Sequence, residues 1–282
     1  MAIDIRGVEL ESPKEAIKRF SLLLWGPPKA GKTTLAATAP KDILWLNFDP
    51  DGIASIANVE GVHVMDFSDK PNRIVEEFRL ENPLRLNEYL AENENIRTVV
   101  VDSITSFRDK ALPHGVVRAQ TTSKGKQSTL EDPGYAGYGN LNLWVRLMVR
   151  NLLYVTAQHR RNIIFVAHED KPEKNKDGIV LFITIMLGGS LVTQVPKDLS
   201  EIWALEDTGK VRRIAVRPSR SRKPLGTRMF ATDISSEFIW NYDAGTQQGE
   251  GIADWFAQWI DAGGAKIPLP GTMHAGVPTK GK

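Results

Sequence analysis

Cysteine is absent from this chain of 282 residues. That excludes disulfides, cysteine-ligated zinc and a thiol nucleophile, and it fits a reducing compartment. Long hydrophobic runs are absent too: no stretch of about 18 apolar residues occurs, so no membrane span is expected. Residues 1–12 carry mixed charges without an apolar signal core, so secretion is not expected and a cytoplasmic location is. An excess of one charge is nearly absent: 36 Lys and Arg against 34 Asp and Glu leave a net charge of +2, which says little about partners. The distribution says more. Between Thr208 and Phe230 stand Lys210, Arg212, Arg213, Arg217, Arg220, Arg222, Lys223 and Arg228, with no acidic residue. Such a block suggests an anionic partner, against the plainer reading of a solvated strand-and-loop face. Apolar content of 41% and charged content of 25% fit a globular chain with a proper core.

What is present is concentrated in one stretch, Leu22-Leu23-Leu24-Trp25-Gly26-Pro27-Pro28-Lys29-Ala30-Gly31-Lys32-Thr33-Thr34. It reads as a buried strand, a glycine-bounded loop and a helix start, and the loop matches the phosphate-binding pattern G-x-x-x-x-G-K-[ST]. Gly26 and Gly31 let the backbone turn tightly, so that successive N–H groups point at phosphate oxygens. The following helix adds its positive dipole end. Lys32 supplies a point charge to the β- and γ-phosphates, and Thr33 a hydroxyl to Mg²⁺. A Gly/Pro surface turn would explain neither Lys32 nor the apolar strand.

Around this loop, apolar segments alternate with helical ones. Residues 43–48 read as a buried strand ending in Asp49-Pro50-Asp51-Gly52, and 62–67 as a weaker strand. Residues 72–93 look helical with a break at Pro83. Residues 97–102 form a β-branched run suited to a parallel sheet covered on both faces. Residues 120–132 are polar and read as a mobile loop, 139–159 as a long helix, 162–167 as a strand and 169–178 as a charged loop. Residues 202–205 and 211–216 flank a glycine-containing turn and predict a hairpin. One more strand is expected at 238–240 and a short helix at 252–260, burying Trp255, Phe256 and Trp259. Residues 262–282 are Gly/Pro-rich and read as a flexible tail. No internal repeat is visible. The expected fold class is α/β, a mostly parallel sheet flanked by helices with a C-terminal β-hairpin. The expected layout is an N-terminal extension over 1–20, one ATPase domain over 21–261 and the tail.

A phosphate loop needs a second carboxylate for its metal. Asp102 ends the most apolar strand, at the carboxyl edge of the sheet where ligands bind in open α/β folds. An ordinary helix N-cap is the alternative. Asp49 and Asp51 follow the second strand on the same edge, where a carboxylate can activate water, although Asp-Pro-Asp-Gly is also a strong turn sequence. His168 closes another strand at that edge and could sense the γ-phosphate or a metal-bound water.

In order, Gly26–Thr34, Phe48-Asp49-Pro50-Asp51-Gly52, Val99-Val100-Val101-Asp102-Ser103 and residues 164–169 resemble the RecA-like P-loop ATPase core. More narrowly, with Tyr138-Gly139-Asn140-Leu141-Asn142 and Pro196-Lys197-Asp198-Leu199-Ser200-Glu201-Ile202-Trp203, the chain looks like the phage Sak-type single-strand annealing and recombination proteins. The resemblance covers about residues 21–222. It implies that Lys32 and Thr33 bind phosphate and Mg²⁺ and that Asp102 is the second metal carboxylate. Asp51 falls where the family carries a catalytic glutamate; aspartate is one methylene shorter, so hydrolysis is expected to be slow or to rely on Asp49. His168 falls where the core often has a glutamine coupling nucleotide state to DNA loops, and 111–138 and 169–195 would be those loops.

The resulting expectation is an ATP-binding and hydrolysing protein that uses Mg²⁺ and binds single-stranded DNA as a homo-oligomer, ring or filament, with a single-strand DNA-binding protein as a further partner. If phage-encoded, it would work in the cytoplasm of a bacterial host. Lys124, Lys126, Arg220, Arg222 and Lys223 are the expected DNA contacts, and Tyr135 and Tyr138 could stack on bases. Arg217, Arg220 and Arg222 are candidates for a side chain reaching a neighbouring subunit's nucleotide. Alternatives are a P-loop motor or assembly ATPase acting on protein or duplex DNA, and a nucleotide-gated binding protein with little hydrolysis.

Overall fold

In the computed structural model, residues 3–5, 8–10, 19–69, 84–122, 124–219 and 221–271 are described. Two short strands, β1 (Ile3–Ile5) and β2 (Val8–Leu10), pair antiparallel. Then come β3 (Ser21–Gly26), α1 (Lys32–Ala36), β4 (Ile43–Asn47), a 3₁₀ turn (Gly52–Ile56), β5 (Val62–Asp66) and α2 (Leu84–Glu92). β6 (Thr98–Asp102) leads into two long helices, α3 (Ile104–Gln120) and α4 (Gly134–Gln158), and then β7 (Asn162–His168). A small ribbon, β8 (Glu173–Lys174) with β9 (Val180–Phe182), precedes α5 (Leu191–Lys197). The chain closes with β10 (Glu201–Asp207), β11 (Arg212–Ala215), β12 (Glu237–Trp240) and α6 (Ile252–Asp261).

The main sheet runs β12-β11-β10-β3-β7-β6-β4-β5. Strands from β10 to β5 are parallel, and β10, β11 and β12 are joined antiparallel. Every residue of β3, β4 and β6 is buried, which is why these strands read as unbroken apolar runs. The two-residue alternation of a strand splits the core in two. Leu23, Trp25, Val99, Val101, Ile163 and Phe165 face α3 and α4. Leu22, Leu24, Val100, Ile164 and Val166 face the other side, with α1 and α6. There Trp203, Phe230, Phe238 and Trp255 meet at ring-centroid distances of 5.3–6.0 Å. Such edge-on aromatic contacts add stabilisation beyond their burial.

Several expectations are corrected. Residues 111–138 are not one loop: α3 extends to Gln120 and α4 starts at Gly134. The two helices approach closely, since a Cβ on Gly115 would lie 2.9 Å from the Gly137 carbonyl. The interval between them is a series of turns bonded at Thr122 N–H to the Ala119 carbonyl, Gly125 N–H to that of Thr122 and Ser128 N–H to that of Gly125. Likewise 169–195 contains β8, β9 and part of α5. The stretch expected to be a flexible tail starts with packed residues. Ile267 and Leu269 are buried, and Ile267 exchanges backbone hydrogen bonds with Met229 and Ala231. Of the helix expected over 72–93, the part before 84 lies outside the described residues, as does the tail beyond 271.

Candidate nucleotide site

β3 delivers the chain to the loop Gly26, Pro27, Pro28, Lys29, Ala30, Gly31. Gly26 has φ 153°, and a Cβ there would collide with the Leu205 carbonyl of β10. Gly31 has φ 97° and is the N-cap of α1. Both positions therefore call for glycine, on conformational and on steric grounds. Lys29 (φ 64°) is exposed at the loop's crest, Ala30 is buried, and Thr34 is half-buried in the first turn of α1.

Lys32 is buried and folds back over the loop, its Nζ donating to the carbonyls of Gly26 (3.0 Å) and Pro27 (2.7 Å). Burial lowers its pKa to about 8, against the pull of Asp102, Asp49 and Glu169. The Thr33 hydroxyl donates to Asp102 Oδ2 at 2.9 Å. Asp102, at the end of β6, is almost wholly enclosed. Burial, and then the Asp49 charge, push its carboxyl up to about 6, although Thr33 and Lys32 favour the ionised form. A carboxylate and a hydroxyl meeting beside a buried ammonium make the donor set that a magnesium–triphosphate needs.

Asp49 is the next group in. Its Oδ1 accepts from the Ser106 hydroxyl, and its Oδ2 lies 3.8 Å from His168 Nε2. Burial would raise its pKa, but hydrogen bonds from His168, Ser106 and Ser103 hold it below the ordinary carboxylate value. The His168 backbone N–H donates to Thr105 Oγ1 at 3.0 Å, while its ring Nδ1 is buried without a hydrogen-bond partner among the described residues. Asp51 stands apart. It is exposed and caps the 3₁₀ turn after β4. The Pro50 turn carries Asp51, the carboxylate favoured from the sequence, out to solvent and leaves Asp49 beside His168.

Three of the eight residues of the basic block are answered by acids from elsewhere in the fold. Arg212 Nε lies 3.3 Å from Asp207, and Arg213 donates to Glu237 at 2.9 Å. Arg222, expected at DNA, is only 15% exposed and is held by Glu206 (3.1 Å) and Glu169 (3.6 Å) over the Trp25 ring. Arg217 is exposed and donates to the Thr232 carbonyl, Lys223 is exposed, and Arg220 lies outside the described residues. Lys124 and Lys126 are exposed in the turns between α3 and α4. Beside them Tyr135 is 97% exposed and Tyr138 45% exposed. A groove of about 790 Å³ is lined there by Lys124, Gln127, Tyr135 and Asn140 among others.

Sequence reasoning missed Ser106, Glu169 and Arg212. Ser106 had a signal: Ser103 caps α3, and its hydroxyl accepts from the Ser106 N–H, putting both hydroxyls in one turn after Asp102. Glu169 follows His168, and its N–H donates to the Gly26 carbonyl. Arg212 had none, because its nearness to Gly31 depends on β11 crossing beside β10.

A family model described as an AAA domain matches residues 18–228. Among solved structures, the crystal structure of the RadB recombinase is similar with a TM-score of 0.44 and 15% identity, covering 80% of this chain and 88% of that one. No curated protein matches the chain. The α/β class expected from the sequence holds. The sheet is mostly parallel and flanked by helices, with β7 between the phosphate-loop strand and the Asp102 strand and an antiparallel hairpin beyond β10. With the match over residues 18–228, the chain belongs to the AAA domain family, on a mostly parallel α/β sheet that carries the phosphate-loop sequence.

Proposed function

We propose that the protein binds ATP with Mg²⁺ at Gly26–Thr34 and hydrolyses it slowly while working on single-stranded DNA as an oligomer, in phage-type recombination or annealing. The observation that carries this reading is the contact of Thr33 Oγ1 with Asp102 Oδ2 beside the buried Lys32. Lys32 would exchange its two loop carbonyls for phosphate oxygens. Thr33 and Asp102 would hold Mg²⁺, which when bound neutralises charge on the phosphates. Asp49 is the group suited to orient the attacking water, steadied by Ser106 and His168, and Asp51 takes the reserve role. His168 would report the state of the site to its chain neighbour Glu169 and to Met186, whose N–H donates to the His168 carbonyl.

Single-stranded DNA finds its best support at the tip of the α3–α4 pair, where Lys124 and Lys126 supply charge and Tyr135 an open ring face. Lys223 remains an exposed cation for the same role, whereas Arg222 does not. Arg217 is the remaining described candidate for action on a neighbouring subunit. A cytoplasmic setting and a single-strand DNA-binding protein as partner complete the reading.

A second reading, a nucleotide-gated binding protein with little turnover, draws on one observation. Asp49 is held below its ordinary pKa and is a weak proton acceptor. Steady-state ATPase with and without single-stranded DNA separates the two. The primary reading expects turnover that DNA stimulates and that Lys32→Ala abolishes while the helical circular dichroism signal is kept. Undiminished turnover in Lys32→Ala would sink the assignment of the site, and nucleotide binding without turnover would favour the second reading.

A further inference from the structure

A groove of about 570 Å³ opens between the turn joining β10 to β11 and the segment that follows β12. Asp207, Lys210, Arg212, Trp240, Tyr242 and Asp243 give it its chemistry. Arg212 ties it to the phosphate loop. A Cβ on Gly31 would lie 3.3 Å from Arg212 Nε, so the side chain rests on the last glycine before Lys32. Asp207 holds the guanidinium from one side at 3.3 Å. The guanidinium carbon lies 5.7 Å from the Trp240 ring centroid, and Trp240 is stacked on Tyr242 at 5.4 Å with 11° between the rings. Trp240 is itself fixed, its Nε1 donating to the Glu250 carbonyl at 3.0 Å. The result is a layered series running outward from the phosphate loop: Gly31, Arg212, Trp240, Tyr242.

None of these groups serves the phosphates or the metal in the reading above. Their chemistry suits a flat, uncharged ring system instead. Guanidinium and aromatic faces stack on π systems. The carboxylates of Asp207 and Asp243 accept from Arg212 and from the Gly209, Gly245 and Thr246 N–H groups, and their remaining lone pairs would accept from a ring amine. Asp207 and Asp243 offset Lys210 and Arg212, so the groove carries no excess of positive charge to draw a polyanion such as a DNA backbone. We propose that this groove is the nucleoside subsite of the phosphate loop: it takes a purine base against the Arg212–Trp240–Tyr242 series, with an aspartate accepting from the ring amine. The proposal rests on the nucleotide reading of Gly26–Thr34 and adds to it the residues that would distinguish a nucleotide from a bare polyphosphate.

The test compares Mg²⁺–ATP with Mg²⁺–tripolyphosphate on the full chain by titration calorimetry. Wild type should bind ATP more tightly, because base stacking contributes about 10-fold or more. Tyr242→Ala should lose about that factor for ATP and leave tripolyphosphate unchanged, and Tyr242→Phe should restore it. Ala244→Trp, which fills the groove from an exposed position, should give the same split and serves if Tyr242→Ala does not fold. Equal wild-type affinity for the two ligands, or ATP affinity unmoved by Tyr242→Ala and Ala244→Trp, overturns the subsite while leaving the phosphate loop standing. Failure of both ATP and tripolyphosphate to bind, or binding of both regardless of Lys32→Ala, overturns both.

Discussion

Asp102 and Lys32 sit in surroundings that disfavour the charge each needs for its work. Burial raises Asp102 to about 6 from 3.8 and lowers Lys32 to about 8 from 10.5. For Asp102 the folded state keeps a proton that the unfolded chain gives up, so stability falls as pH rises from 3.8 to about 6 and stays lower above it. For Lys32 the folded state gives up a proton the unfolded chain keeps, so stability rises as pH climbs from about 8 to 10.5. Asp102→Asn should therefore stabilise the nucleotide-free protein at pH 7, by on the order of 1–3 kcal/mol, and lose Mg²⁺-dependent nucleotide binding. Melting curves at pH 7 and near pH 4 check this: a gain that persists unchanged at the lower pH would rule out the buried charge as its source. At the neighbouring aspartates the expectation is kinetic. Asp49→Asn should bind ATP normally and slow single-turnover hydrolysis by ~10²-fold or more, whereas Asp51→Asn should change it little. Equal effects would return Asp51 to the site. Lys32, Thr33, Asp102 and His168 have positions that follow from the loop pattern or from a strand end. The sequence puts Asp51 ahead of Asp49, but the two stand two positions apart across one proline, and which of them a turn carries outward is decided by the fold around it.

At the scale of elements, the β10–β11 hairpin shows what a count along the chain leaves out. The block from Thr208 to Phe230 contains no acid, yet Asp207, Glu237, Glu206 and Glu169 reach Arg212, Arg213 and Arg222 across strands. Cross-strand pairing is invisible until register is known. α3 was hidden for another reason. Pro113 and Gly115 lie inside α3, and both residue types argue against a helix when read locally. Tertiary packing overrides them: Gly115 is the point of close approach to Gly137. These elements part company in DNA binding. Replacing Lys124 and Lys126 together by Ala should reduce the salt dependence of single-strand binding by about 1.4 in log–log slope, at ~0.7 per phosphate contact. Arg222→Ala should leave the slope alone. Titrations at several salt concentrations decide, and the reverse pattern would move the DNA site to the hairpin.

Over the whole molecule, the legible part is the centre. β3, β4, β6 and β7 are parallel strands covered on both faces, and such strands announce themselves as continuous apolar runs. The proposed trans role of Arg217 needs a second copy. Light scattering with ATP and single-stranded DNA present should therefore show a species larger than one chain, and a strictly monomeric protein would end that role. One feature of the sheet has a bearing on how the protein is made. The strand that bears the phosphate loop leaves the ribosome well before its two neighbours, β7 and β10, so Leu22 must wait for Ile164 on one side and Glu201 on the other. At ordinary elongation rates that wait is roughly 10–40 s. During it an apolar strand is without partners, and the nascent chain is at its most dependent on a chaperone.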